Sequence, residues 1–96
     1  MKTNINMLFL FLGVGMCGVK ILLENPYVFV HIMDNYAYAK VYDKVLKDIK
    51  DLLISFGFVF SDYEKPYHYY RKLIATESDM KEVERFVEQI RKKLAL

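Results

Sequence analysis

The sequence holds a single cysteine, Cys17, so no disulfide closes within one chain and no cysteine-based metal cluster is available from one copy. Tryptophan is absent. Only two prolines and four glycines occur among 96 residues, and 54% of the residues are apolar, which excludes a disordered or low-complexity chain. An excess of one charge sign is missing as well: 14 Lys and Arg stand against 12 Asp and Glu, so nothing in the composition points to a polyanion. The two histidines, His31 and His68, have no ligand-type partner at short spacing and make no metal site in the sequence. No Ser–His–Asp or Cys–His arrangement is legible, so enzymatic activity stays open on the residues alone. The length suits one modest domain over residues 1–96.

What is present is an uneven apolar load. Mean hydropathy is +0.09, and eight tyrosines and seven phenylalanines supply all the aromatic content. Residues 5–19 read INMLFLFLGVGMCGV, Lys20 interrupts, and Ile21-Leu22-Leu23 resumes. Three readings fit this stretch. One is a signal peptide with Lys2 as its basic start, Met7–Val19 as its apolar body and Gly15-Met16-Cys17 as a small-x-small site. Another is a membrane segment over residues 5–23, close to the roughly 20 residues a span requires but holding Asn6 and Lys20. The leading one is a buried strand, Met7–Leu12, followed by a glycine turn and a short helix over Val19–Asn25.

Beyond it the chain alternates. Tyr27–Met33 is an apolar run rich in aromatic and β-branched residues between Pro26 and Asp34-Asn35, which predicts a strand. Apolar residues from Tyr38 to Phe56 recur every three to four positions, which predicts a helix over Tyr36–Phe56 with Gly57 as its left-handed stop. Phe58–Phe60 predicts a short extended segment, Ser61–Pro66 a loop, and Tyr67–Ala75 a strand buried at its Leu73-Ile74-Ala75 end. Thr76 and Asp79 have capping-box spacing before a last helix striped by Met80, Val83, Phe86, Ile90 and Leu94. The expected fold class is therefore α/β: a small, mostly parallel, Rossmann-like sheet with helices on its faces. The alternative is an α+β ferredoxin-like βαββα head over residues 26–96, with an N-terminal hydrophobic segment.

One motif carries chemistry. Gly13-Val14-Gly15-Met16-Cys17-Gly18 is a G-x-G-x-x-G placed between an expected strand and an expected helix, and Asp34 ends the next expected strand. Glycines in that context let a backbone approach a pyrophosphate at a helix N-terminus, and an acid after the next strand suits a ribose hydroxyl. The stretch from Gly13 through Leu22-Leu23-Glu24-Asn25-Pro26 to Asp34 resembles the N-terminal dinucleotide-binding domain of the glucose–fructose oxidoreductase / inositol dehydrogenase family. In that resemblance FSDYEK (60–65) and LIAT (73–76) stand for the third and fourth strands. A second register places Glu64-Lys65-Pro66 on the family's E-K-P, which makes Lys65 a proton donor and acceptor to a substrate hydroxyl; the two registers exclude each other. The resemblance implies NAD or NADP as cofactor, bound at Gly13, Gly15, Gly18 and Asp34. It departs in a first helix about one turn short, and the chain ends where the family's substrate domain begins.

The functional expectation is thus a small dinucleotide- or phosphate-ligand-binding module in the cytoplasm, related in part to an oxidoreductase. The alternative is a membrane-associated structural or interaction subunit of a larger assembly, anchored through residues 5–23. The Tyr-rich stretch Tyr67–Arg71 suits a protein contact, and an incomplete sheet with excess apolar surface predicts a homo-oligomer or a protein partner. Tyrosines beside Arg71 also suit base stacking, but the balanced charge argues against nucleic acid.

Overall fold

A computed structural model describes residues 18–96. Strand β1 is Val19–Glu24, β2 is Val28–Met33 and β3 is Tyr36–Tyr42. Helix α1, Asp43–Ser55, leads to β4, Val59–Glu64; β5 is Tyr67–Leu73, and α2 is Glu77–Leu94. The strands form one sheet in the order β1-β2-β3-β5-β4, with every neighbouring pair antiparallel. Because β3 and β4 both oppose β5, they run parallel to each other with β5 inserted between them, and α1 is the crossover.

This is an α+β fold, and it overturns the expected Rossmann-like parallel sheet. A parallel pair needs a crossover of a dozen residues or so, whereas β2 and β3 are joined by Asp34-Asn35 alone, a length that only a hairpin accommodates. The helix expected over Val19–Asn25 is β1: Val19, Ile21 and Leu23 alternate in a short β-branched run that pairs with β2. The head after residue 25 also holds a strand beyond the βαββα alternative. Tyr36–Tyr42, expected as the first two turns of α1, alternates ring and small residue and forms β3 instead. Strand β4 continues through Ser61–Glu64, where a loop was expected. Among the described residues no helix is long and apolar enough to cross a membrane. The stretch 5–23 is not one helix, since its last residues lie in β1; the expected strand Met7–Leu12 lies outside the described residues.

Period two sorts the sheet into two faces. On one, Val28, Val30, Ala37, Ala39, Val41 and Tyr70 are buried beneath the helices. Helix α1 contributes Ile49 and Leu53 to that layer, and α2 contributes Val83, Phe86, Val87 and Ile90. Phe86 is the largest fully buried side chain and lies between Phe58, at a 4.6 Å ring separation, and Phe56, at 5.7 Å. The expected buried end of the last strand differs: Leu73 faces away from the helices and is 53% exposed.

The helix ends follow local chemistry. Gly57 has φ +85°, the left-handed geometry that closes α1. Thr76 Oγ1 accepts from the Asp79 backbone N–H at 3.1 Å, and the Asp79 carboxylate accepts from the Thr76 and Ala75 N–H groups at 3.0 and 2.8 Å. Those donors hold the Asp79 carboxyl below its ordinary value. The open carbonyls of α1 are met by a side chain from the sheet: Lys72, buried on β5, donates from Nζ to Phe56 O at 2.7 Å and to Glu82 Oε1 of α2 at 2.8 Å. One ammonium therefore ties the sheet, the end of α1 and the start of α2 together, where the helix dipole favours a cation.

Lys72→Met keeps most of the stem packing but strands the Phe56 carbonyl. It is expected to lower unfolding stability by about 2 kcal/mol, the size of a hydrogen bond to a charged donor. Glu82 is half in water, so Glu82→Gln is expected to cost under about 1 kcal/mol. Urea denaturation of the two variants checks the ordering, and equal losses would contradict the account.

Candidate functional site

Among the described residues, no helix covers the second face of the sheet. Antiparallel register places its side chains in rows. At one end Val19, Met33, Tyr36 and Leu73 lie abreast, and next to them Ile21, His31, Tyr38, Arg71 and Val59. Then come Glu24, Phe29, Lys40, Tyr69 and Asp62, and at the far end Tyr42, Tyr67 and Glu64. The first row is apolar, the second sets Ile21 and Val59 at its ends around His31, Tyr38 and Arg71, and the last two are aromatic and charged.

The rings support one another laterally. Tyr42 lies 6.1 Å from Tyr27 and 5.8 Å from Tyr67, centroid to centroid. His31 stacks on Tyr38 at 5.2 Å and tilts against Phe29 at the same distance. Lys40 places Nζ 4.2 Å from the Tyr67 ring centroid, and the Arg71 guanidinium lies 5.1 Å from that of Tyr36, both favourable cation–π contacts. The connection into β2 is pinned down beside them: Tyr27 N donates to Asn25 Oδ1 at 2.9 Å, and Tyr42 N donates to Tyr27 O at 2.8 Å.

Between that connection and the sheet lies a cleft of about 380 Å³ lined by Glu24, Asn25, Pro26, Phe29, Lys40 and Tyr67. Its chemistry is simple. Phe29 and Tyr67 offer ring surface, and Lys40 and Glu24 offer one charge of each sign. The cleft lining holds no histidine, cysteine or hydroxyl nucleophile apart from the Tyr67 phenol. No cluster of three His, Cys, Asp or Glu suited to a metal ion occurs among the described residues.

Of the residues expected to hold a cofactor, the described ones, Gly18 and Asp34, do not line this cleft. Gly13 and Gly15 lie outside the described residues. Gly18 directly precedes β1, a strand where a pyrophosphate would need the N-terminus of a helix. Asp34 is the first residue of the β2–β3 turn at φ 56°. The Val19–Met33 pairing puts Gly18 and Asp34 at the same sheet end, but as hairpin neighbours. Lys65 sits in the exposed β4–β5 turn at the other end, far from Asp34 along the strands. The helix expected directly after Gly18 is therefore replaced by a strand.

A second cluster joins His68 and Tyr63, near in sequence, to the distant Asp43. Asp43, the first residue of α1, pairs through Oδ1 with His68 Nε2 of β5 and accepts from the Tyr63 hydroxyl of β4 through Oδ2 at 3.2 Å. Tyr63 and His68 lie side by side at 4.5 Å between rings. Loss of hydration, then the Asp43 charge, raises the Tyr63 phenol above its usual range. This cluster fastens the helix start to the sheet, as does the hydrogen bond from Asp43 N to Pro66 O at 2.8 Å. Its members come from three elements: the pairing of β4 and β5 joins Tyr63 to His68, and that of β3 and β5 brings Asp43 to them.

No family model matches the chain, no curated protein matches it, and no solved structure matches its fold.

On the open face His31 Nδ1 is buried without a hydrogen-bond partner, and burial holds the imidazole below its usual value near 6.5. A folded value below the unfolded one favours the neutral ring, so its contribution is complete above about pH 6.5 and lost as the pH falls through the folded value. Stability is expected to fall in that window, and His31→Leu is expected to flatten the fall. Thermal unfolding of both proteins from neutral pH to about pH 5 checks this. An unchanged pH profile in the variant would assign the effect elsewhere.

Proposed function

We propose that the chain is a protein-interaction module that docks a short segment of a protein partner on the tyrosine-lined half of its open sheet face. The observation that carries this reading is one-sidedness. Five strands are covered by helices on one face, while the other keeps half-buried rings around a cleft flanked by Lys40 and Glu24. Tyrosine supplies large contact area at low conformational cost and keeps a polar tip for a partner's backbone, which is why it is enriched in protein contacts. An exposed apolar and aromatic patch on a folded sheet marks a recognition surface.

Charge favours a protein over a nucleic acid. The two cations of this face, Lys40 and Arg71, already lie over Tyr67 and Tyr36, and Glu24, Asp62 and Glu64 border the same surface. A phosphate backbone would meet no net positive field there, although such a field supplies most non-specific nucleic-acid affinity. An apolar side chain of the partner is placed over Phe29 and Tyr67, with a flanking cation reaching Glu24 and a flanking carboxylate reaching Lys40. A second copy of the chain is one source of such a segment.

Peptides selected from a displayed random library against the intact chain are expected to bind through this cleft. Phe29→Ala and Tyr67→Ala should each weaken the best binder about 30-fold by calorimetry, the scale of a buried aromatic anchor. Tyr63→Ala, on the helix-bearing face, should leave it unchanged. The reading fails if selected peptides bind Tyr67→Ala as tightly as the parent, or if no binder emerges and light scattering shows a monomer at all concentrations.

A further inference from the structure

A peptide can meet a sheet as an added strand at an edge, as an amphipathic helix in an apolar groove, or as a polyproline-type helix over aromatic rings. The first mode is blunted here, because β1 shifts register between Ile21 and Leu23 and β4 between Phe60 and Asp62. The second lacks its groove, because His31, Lys40 and Arg71 interrupt the apolar residues of the open face. The third finds its elements in place.

Phe29, Tyr42 and Tyr67 are half-buried, so their neighbours hold the rings while part of each stays open to solvent. Tyr42 and Tyr67 present adjoining ring surfaces, 5.8 Å between centroids. Their phenols bond to no group of the described residues, whereas that of Tyr63 is spent on Asp43. A polyproline helix makes no internal hydrogen bonds, so its carbonyls are free to accept from such phenols. An α-helix has already used most of its own.

The charges set the spacing. Glu24, Phe29 and Lys40 lie abreast on β1, β2 and β3. Glu24 and Lys40 are therefore two strand spacings apart, about 9.6 Å. A polyproline helix repeats every three residues, about 9.3 Å. A segment crossing the strands thus brings residues i and i+3 of one edge over Glu24 and Lys40. Neither of these two side chains has an ion-pair partner among the described residues, where the pairs are His68–Asp43 and Lys72–Glu82. A base at i and an acid at i+3 complement them. The adjoining edge, i+1 and i+4, then places one ring on Phe29 and another between Tyr42 and Tyr67. A polyproline helix looks alike from both ends, so the opposed charges fix its direction.

We propose that the cleft takes a polyproline segment of the pattern basic–Pro–x–acidic–Pro, read across β1, β2 and β3. This pattern rests on the docking reading above and adds conformation, composition and direction to it.

A capped peptide carrying Arg-Pro-Ala-Glu-Pro, titrated into the intact chain and followed by backbone amide NMR signals, tests this. Shifts are expected at Phe29, Lys40 and Tyr67. Replacing both prolines by alanine should weaken binding about ten-fold, as the peptide loses its fixed conformation. Exchanging Arg and Glu within the peptide should weaken it by a comparable factor, and the double variant Glu24→Lys, Lys40→Glu should reverse that preference. A merely structural role of the two residues would not produce the reversal. Equal binding of the alanine peptide, or a charge order that the double variant leaves unchanged, overturns the inference. So does failure of the proline peptide where library-selected peptides still bind through Phe29 and Tyr67, a result that leaves the docking reading standing. Absence of any binding peptide overturns both.

Discussion

Strand β3 decides which side of the sheet the helices occupy. It lies between β2 and β5 and pairs with both along its whole length. Its helix-facing residues, Ala37, Ala39 and Val41, are small and fully buried, and its other face carries Tyr36, Tyr38, Lys40 and Tyr42. Small residues let α1 and α2 approach the sheet closely, so Phe86, Ile49 and Leu53 fill the layer to close packing. A one-residue slip of β3 would bring four large side chains into that layer and expose the alanines. The register of the central strand thus fixes the core and, through the same alternation, the composition of the open face.

Among the described residues, the layer between sheet and helices buries one charged side chain, and its placement comes from the same geometry. Lys72 lies opposite Ala37, where a small neighbour leaves space for a long stem, and its ammonium reaches the Phe56 carbonyl at the end of α1. A shorter residue at 72 could not span that distance. The Glu82 partner lies in the second turn of α2, within reach of the ammonium. Because Glu82 remains half in water, the ammonium keeps a partner without both charges being fully desolvated.

Features set by neighbours in sequence were legible before the structure: the Thr76–Asp79 cap, the stripe of α2, the Gly57 stop and the strand from Val28 to Met33. Those set by pairing were not. Tyr38, Val41, Tyr42 and Val45 fit a helical stripe, and Tyr36, Tyr38, Lys40 and Tyr42 also fit one face of a strand; the sequence around them satisfies both periods. What decides is the two-residue turn at Asp34-Asn35, which folds β3 onto β2 before a helix can start. The glycine motif meets a related constraint. Its expected meaning requires a helix after Gly18, and Val19–Glu24 is held extended by β2 instead. The open-face site was visible only as a Tyr-rich stretch at 67–70, because Phe29, Lys40 and Tyr67 come from three strands. His68 and Tyr63 are near neighbours in sequence, but Asp43, twenty residues earlier, gave no signal, since the pairing of β3 with β5 is what brings it beside them.

The edges of the sheet sharpen the case for its face. Strand β1 has a register shift between Ile21 and Leu23, and Arg91 of α2 reaches the Leu22 carbonyl beside it at 3.4 Å. Strand β4 shifts between Phe60 and Asp62, and carries Asp62 and Glu64 next to that irregularity. Bulges and charged residues are the means by which natural sheets prevent another strand from pairing at an edge. Lateral growth is therefore blunted on both sides, although the chain carries excess apolar and aromatic surface. With one face under helices and both edges irregular, the remaining surface for recognition is the open face, where the rings are already ordered against one another. Ordering those rings in the free protein reduces the rotamer entropy that a partner would otherwise have to remove on binding.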